Sequence, residues 1–113
     1  MTGVTPASTA LLTDRYELTM IDAALANGTA HRRSVFEVFA RRLPAGRRYG
    51  VVAGTGRLLE AIADFRFREP ELTWLSENNV VSPATLEYLA NYTFSGSITG
   101  YAEGALYFPG SPL

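Results

Sequence analysis

The sequence predicts an α+β domain, in which an N-terminal helix is followed by a largely antiparallel sheet with helices on one side. Residues 34–41 alternate at strand spacing and are rich in β-branched and aromatic side chains, a pattern typical of a strand. Residues 57–65 instead repeat apolar side chains every three or four positions, which predicts an amphipathic helix. That helical repeat consists of Leu58, Ala61, Ile62 and Phe65.

Length and composition fit one folded domain. The chain has 113 residues, of which 47% are hydrophobic and 19% charged, and these values are near the averages for soluble globular proteins. Residues 1–10 are small and polar, so we expect a flexible leader there and a folded domain over residues 11–113.

The first helix is expected to begin at Asp14 and to end at Asn27-Gly28. Asp14 and Glu17 have the spacing of a capping box, in which the two side chains bond amides at the start of the helix. One stripe of this helix would carry Tyr16, Met20, Ala23, Ala24 and Asn27. A tyrosine on such a stripe usually packs in a core or an interface.

The strand over residues 34–41 would be apolar on nearly both faces. Glu37 within it predicts either a charged partner or a solvent-lined rim, because an unpaired buried carboxylate is costly. A loop over residues 43–48 is expected to follow, and then residues 49–53 as a short strand or as the approach to a helix.

Two short helices should come after residues 57–65. Proline suits the first helical position, so Glu69-Pro70 and Ser82-Pro83 mark their starts. The side chains expected to face inward are Leu72, Leu75, Leu86 and Leu89.

Residues 97–108 predict two strands joined by a tight turn at Glu103-Gly104. The chain stops at Leu113, soon after the second of these strands. We therefore expect the sheet to be incomplete without additional strands from a downstream part of a longer protein.

Several classes of function are disfavoured by composition. The chain has no cysteine and one histidine, His31, so a metal site is not expected. A net charge of -1 does not suit a nucleic-acid-binding surface. No apolar run approaches the roughly 20 residues that span a bilayer, so we expect no membrane contact and a cytoplasmic location.

Two sequence features invite a phosphate-binding interpretation, and each also has a simpler one. Gly54-Thr55-Gly56 precedes a helix, where amides can cradle a phosphate, but the same residues make an ordinary turn and helix start. Six arginines could chelate a diphosphate or form a solvated rim. They are Arg32, Arg33, Arg41, Arg42, Arg47 and Arg48.

A series of motifs in order along the chain resembles nicotinate phosphoribosyltransferases. The motifs are LLTDRYELTM at 11–20, FEVFARRLP at 36–44, AG at 53–54, LEYL at 86–89, GYAEG at 100–104 and FPGSPL at 108–113. The resemblance implies a reaction in which nicotinate and 5-phosphoribosyl 1-diphosphate give nicotinate mononucleotide and diphosphate, with Mg²⁺ and ATP, in NAD salvage. It also implies a homodimer with shared active sites and an α/β-barrel that lies downstream of these residues.

The resemblance further implies roles for particular residues. Tyr16 would stack on the pyridine ring in the neighbouring subunit's site, Asp14 would orient that site, and Arg41 or Arg42 would face the diphosphate. The histidine that family members phosphorylate has no counterpart here, and His31 does not lie in its motif. We therefore expect no catalytic residue in this segment, no metal or cofactor bound by it alone, and no turnover by the 113-residue chain.

Two other functions are considered beside this one. A freestanding, non-catalytic dimerisation or interaction module would keep the same surface without the barrel, and it would stay folded and soluble alone. A small nucleotide-binding protein built on Gly54-Thr55-Gly56 would bind mononucleotides without any barrel.

Overall fold

The computed structural model describes residues 8–113, which form four helices and a two-stranded antiparallel sheet. This composition confirms the predicted α+β class. The elements are α1 (Arg15–Ala26), β1 (Gly50–Val51), α2 (Thr55–Asp64), α3 (Glu69–Glu77), α4 (Pro83–Ala90) and β2 (Leu106–Tyr107). Most of the predicted leader, residues 1–7, lies outside the described residues.

The described residues divide into two compact units. The helical unit comprises residues 8–32 and Asp64–Phe94 and contains α1, α3 and α4. The strand unit comprises Arg33–Ala63 and Ser95–Leu113 and contains β1, β2 and nearly all of α2.

The helical unit has a hydrophobic core. Leu75 and Leu89, both predicted to face inward, are 0% and 1% exposed. The starts of α3 and α4 were also predicted correctly, because proline, the polar cap residue and the first turn are all local signals. The buried core consists of Ala10, Leu18, Phe67, Leu75, Val80, Val81 and Leu89.

The predicted stripe of α1 is wrong, because the helix turns its other face to the core. Leu18 is buried and Ile21 packs against the core, whereas Tyr16 and Met20 are 59% and 62% exposed. The inward face also carries Asp22, whose carboxylate bonds to the start of α4. A charged residue on the buried face hid that face from the hydrophobic pattern.

The strand unit pairs β1 with β2 antiparallel, Gly50 opposite Tyr107 and Val51 opposite Leu106. The ladder continues as Val52 N–H donates to the Ala105 carbonyl at 2.9 Å. A Cβ on Gly50 would overlap the Tyr107 ring, so the ring lies against the Gly50 backbone and would have to move if a larger residue replaced this glycine.

The predicted hairpin within residues 97–108 is therefore wrong in its partner. The turn at Glu103-Gly104 exists, with Gly104 at a φ of 83°, but the strand after it pairs with β1. The Glu103 carboxylate accepts hydrogen bonds from Gly54 and Thr55 N–H, which fixes the turn at the corner between β1 and α2.

The strand predicted over residues 34–41 is not formed, because within residues 8–113 this segment belongs to no helix or sheet. The carbonyls of Val38 and Ala40 accept from Leu113 and Gly110 N–H at 2.7 and 2.8 Å. Two isolated bonds along one edge do not make a regular ladder. Glu37 is exposed, so its carboxylate carries no burial cost.

Candidate functional site

The start of α1 presents two side chains from the first motif to solvent. Asp14 is the N-cap, with φ and ψ of -74° and 146°, but its side chain makes no capping hydrogen bond. The predicted capping box is thus absent, and the Asp14 carboxylate accepts no hydrogen bond from the amides at the start of α1. Tyr16 follows two residues later and makes no ring contact within the described part of the chain.

The backbone of Tyr16 is therefore held within α1, while its ring makes no aromatic contact with the described residues. Its carbonyl accepts from the Thr19 hydroxyl at 3.1 Å, a bond inside the helix. Tyr16 is 59% exposed, and an aromatic ring open to solvent is suited to stacking on a flat ligand. This exposure contradicts packing in the core of the unit and agrees with the interface role that the residue pattern also allowed.

Arg41 and Arg42 lie next to each other in the strand unit, and both are exposed. Within residues 8–113 the ion pair that forms is between Arg68 and Asp64, at 3.1 Å in the helical unit. The two guanidinium groups thus keep their donors for a ligand or for solvent. The structure brings Asp14 and Tyr16 together in one unit, and Arg41 and Arg42 together in the other.

The amides at the start of α2 are already bonded to a carboxylate of this chain. Gly54 and Thr55 N–H donate to the two Glu103 carboxylate oxygens at 3.0 and 2.9 Å. These bonds, with a third from the Thr55 hydroxyl, hold the pKa of Glu103 below its ordinary value. A phosphate would have to displace Glu103, so the nucleotide-binding interpretation of Gly54-Thr55-Gly56 loses its support.

Sequence reasoning missed the network between α1 and α4. One oxygen of Asp22, Oδ1, accepts from Ser82 N–H, the Ser82 hydroxyl and the Thr85 hydroxyl, at 3.0, 2.6 and 2.5 Å. Ser82 is also the N-cap of α4, accepting from Thr85 N–H at 3.3 Å. The Ser82-Pro83 start was visible in the sequence, but a partner sixty residues earlier gave no signal.

The helical unit also contains a mostly apolar cavity of about 430 Å³. Four aromatic rings line it, in two edge contacts and one tilted contact. His31 packs edge-on against one of them, Tyr88, with ring centroids 5.9 Å apart. Its lining includes Thr13, Glu17, Phe65, Phe67, Tyr88 and Tyr92. His31 thus lies on an exposed turn, next to the ring of Tyr88.

Among residues 8–113, no group of three or more His, Cys, Asp or Glu side chains could hold a metal ion. None of the helices formed by these residues is long and apolar enough to cross a membrane.

Comparison with known proteins places the motifs in one family. Residues 11–113 match the model of a protein family described as "nicotinate phosphoribosyltransferase (NAPRTase) N-terminal domain". Nicotinate phosphoribosyltransferase pncB1 of Mycobacterium tuberculosis is 62% identical over 103 residues, covering 91% of this chain and 22% of that protein. Nicotinate phosphoribosyltransferase pncB2 of the same species is 41% identical, covering 91% of this chain and 22% of that protein. The nicotinate phosphoribosyltransferase of Caenorhabditis elegans is 36% identical, covering 91% of this chain and 19% of that protein. The chain spans about a fifth of the length of these relatives.

Proposed function

This chain belongs to the nicotinate phosphoribosyltransferase N-terminal domain family, and from that premise we propose that it is the N-terminal part of such an enzyme. The complete enzyme would join nicotinate to the ribose of 5-phosphoribosyl 1-diphosphate in NAD salvage, with ATP hydrolysis. The pyridine nitrogen forms a bond to the ribose carbon, and the bond from that carbon to diphosphate breaks. The names of the relatives support this activity.

The exposed ring of Tyr16 is the observation that carries the proposal for this segment. Tyr16 would stack on the pyridine ring of nicotinate bound by the neighbouring subunit of a homodimer. The nitrogen gains positive charge as its new bond forms, and the electron-rich face of a tyrosine ring favours a cation. Tyr16 is exposed, and its ring makes no aromatic contact within residues 8–113, which supports this role.

Asp14 would orient the same site. Its carboxylate is exposed at the start of α1 and is not engaged in capping that helix. A negative charge two residues from Tyr16 would also favour the positive pyridine nitrogen in the transition state. The absence of the capping bond is what makes the carboxylate available.

Arg41 or Arg42 would stabilise the departing diphosphate. A guanidinium group presents a planar set of donors that matches phosphate oxygens in pairs. Neither arginine forms an ion pair with a described residue, so neither has to break an internal contact to bind an anion. This arrangement assigns the nicotinate side of the reaction to the helical unit and the diphosphate side to the strand unit.

Mg²⁺ and ATP belong, on this proposal, to the rest of the complete enzyme. No step in this segment is assigned to either. His31 packs against Tyr88 and is not proposed as a catalytic group. The 113-residue chain alone would accordingly have no turnover, and the complete enzyme would work in the cytoplasm.

The intact mass and activity of the native gene product test the proposal. A mass several times 12.3 kDa, with nicotinate mononucleotide formed from nicotinate and 5-phosphoribosyl 1-diphosphate, is the expected result. A mature product of 12.3 kDa without turnover would contradict it and would favour the freestanding interaction module.

A further inference from the structure

The strongest polar link inside the helical unit joins the middle of α1 to the start of α4. Asp22 Oδ1 accepts three hydrogen bonds there, from Ser82 N–H and from the hydroxyls of Ser82 and Thr85. Thr85 is 0% exposed, so its hydroxyl has no access to water as a substitute acceptor. The Asp22 carboxylate therefore satisfies the buried Thr85 hydroxyl and also joins α1 to α4.

These bonds restrain α1 in a way that its apolar contacts do not. Leu18 is the one buried residue of α1, and apolar packing has no preferred direction. Three hydrogen bonds converging on one oxygen are directional, so they oppose rotation of α1 about its axis and sliding along α4. The negative charge also lies at the positive N-terminal end of α4, which adds to the attraction.

The position of Asp22 relative to Tyr16 gives this restraint a functional consequence. The two residues are six positions apart, which is about 9 Å along the helix axis and about 240° around it. Asp22 thus holds the inner face of the same helix that presents Tyr16 outward. A rotation of α1 would move the Tyr16 ring directly.

We propose that Asp22 is a positioning residue for nicotinate binding, which sets the orientation of α1 on α4 and so the direction in which the Tyr16 ring is presented. This inference rests on the stacking role proposed for Tyr16. The hydroxyl of Ser82, then that of Thr85, then Ser82 N–H lower the pKa of the Asp22 carboxyl, so the charged acceptor persists at neutral pH.

The test is a double-mutant cycle in the full-length enzyme, with nicotinate and 5-phosphoribosyl 1-diphosphate varied separately. Asp22→Asn should raise the KM for nicotinate roughly three- to tenfold and leave the KM for the diphosphate substrate unchanged. In a Tyr16→Ala background the same substitution should have no further effect on the KM for nicotinate. A merely structural role would give the same loss in both backgrounds.

Two further variants keep the outcome interpretable. Asp64→Asn removes a carboxylate from an exposed pair with Arg68 in the same unit, and it should leave both KM values unchanged. Thr85→Val removes one of the three donors while keeping the side-chain shape, so it should shift the KM for nicotinate in the same direction but less, even if Asp22→Asn fails to fold.

The outcomes separate the two proposals. If Tyr16→Ala raises the KM for nicotinate but Asp22→Asn and Thr85→Val do not, the positioning role is overturned and the stacking role stands. If Tyr16→Ala itself changes neither KM nor turnover, both are overturned.

Discussion

The two units of this chain differ sharply in how they treat their apolar side chains. Among residues 8–113, all seven buried hydrophobic residues belong to the helical unit. In the strand unit Phe36 is 91% exposed, Val35 80% and Val38 74%, and α2 has no buried residue at all. The helical unit is stabilised by a core of its own, whereas the strand unit keeps most of its apolar surface available for contacts beyond residues 8–113.

The comparison also has a functional side. The residue proposed to contact nicotinate lies on a helix anchored to the packed unit, and the arginines proposed to contact diphosphate lie in the loosely covered one. Precise stacking needs a fixed ring, whereas charge stabilisation of a leaving group tolerates more freedom. The following predictions test both sides of this difference.

Truncation of a core side chain should have the largest effect. We expect Leu75→Ala to lower the free energy of opening of α4 by about 2–5 kcal/mol, because it leaves a cavity in the packed core. Leu58→Ala, at a position 54% exposed in α2, should change the free energy of opening of α2 by less than about 0.5 kcal/mol. Hydrogen exchange of the α4 amides measures the first change, and hydrogen exchange of the α2 amides measures the second. Equal losses would show that the two units do not differ in packing.

Loss of an arginine should act on the other substrate. Arg41→Ala, or Arg42→Ala if Arg42 is the contact, should lower kcat/KM for 5-phosphoribosyl 1-diphosphate about tenfold, equivalent to about 1.4 kcal/mol. The KM for nicotinate should stay the same. Arg57→Ala is the matched control, since Arg57 is also an exposed arginine of the strand unit. If neither variant exceeds the control, the arginine assignment is wrong.

The exposed apolar side chains of residues 35–38 in the strand unit should make the 113-residue chain self-associate when it is produced alone. Phe36→Ser should reduce that association severalfold in sedimentation velocity. Leu12→Ser is the control from the helical unit, because Leu12 is similarly exposed at 82%. A monomer that needs no substitution, or an equal response to both variants, would contradict the contrast between the units.

A smaller, pH-dependent effect is expected at the corner between β1 and α2. The lowered pKa of Glu103 means that its contribution is fully present above the ordinary carboxyl value and is lost as pH falls through and below it. Exchange of the Thr55 amide should therefore gain an acid-side acceleration once pH drops below about 4, after correction for intrinsic rates. Glu103→Gln should remove that extra dependence, and an unchanged profile in the variant would rule out this role of the carboxylate.

Sequence reasoning succeeded where the signals are local. The starts of α3 and α4 follow from Pro70 and Pro83, and both ends of α2 follow from its apolar repeat, predicted within about two residues. It failed where the determining partner is distant along the chain. The inward face of α1 depends on Asp22 meeting Ser82, and the pairing of β2 depends on Glu103 meeting Gly54.

The same limit applies to the site. The residue pattern alone assigned Tyr16 to packing, and only the motif resemblance pointed to a ligand, which its exposure now supports. The role of Asp14 depended on whether its side chain caps α1, and the spacing of Asp14 and Glu17 gave the wrong answer. Local spacing shows that a cap can form, but the structure decides whether it does.

The most direct test of the account is the nicotinate kinetics of Tyr16→Ala in the full-length enzyme. Loss of a stacking ring should raise the KM for nicotinate roughly three- to tenfold, and Tyr16→Phe, which keeps the ring, should restore most of the affinity. Tyr49→Ala is the matched control, because Tyr49 is 52% exposed against 59% for Tyr16. A Tyr16→Ala enzyme with the KM and turnover of the unmodified protein would contradict the central claim.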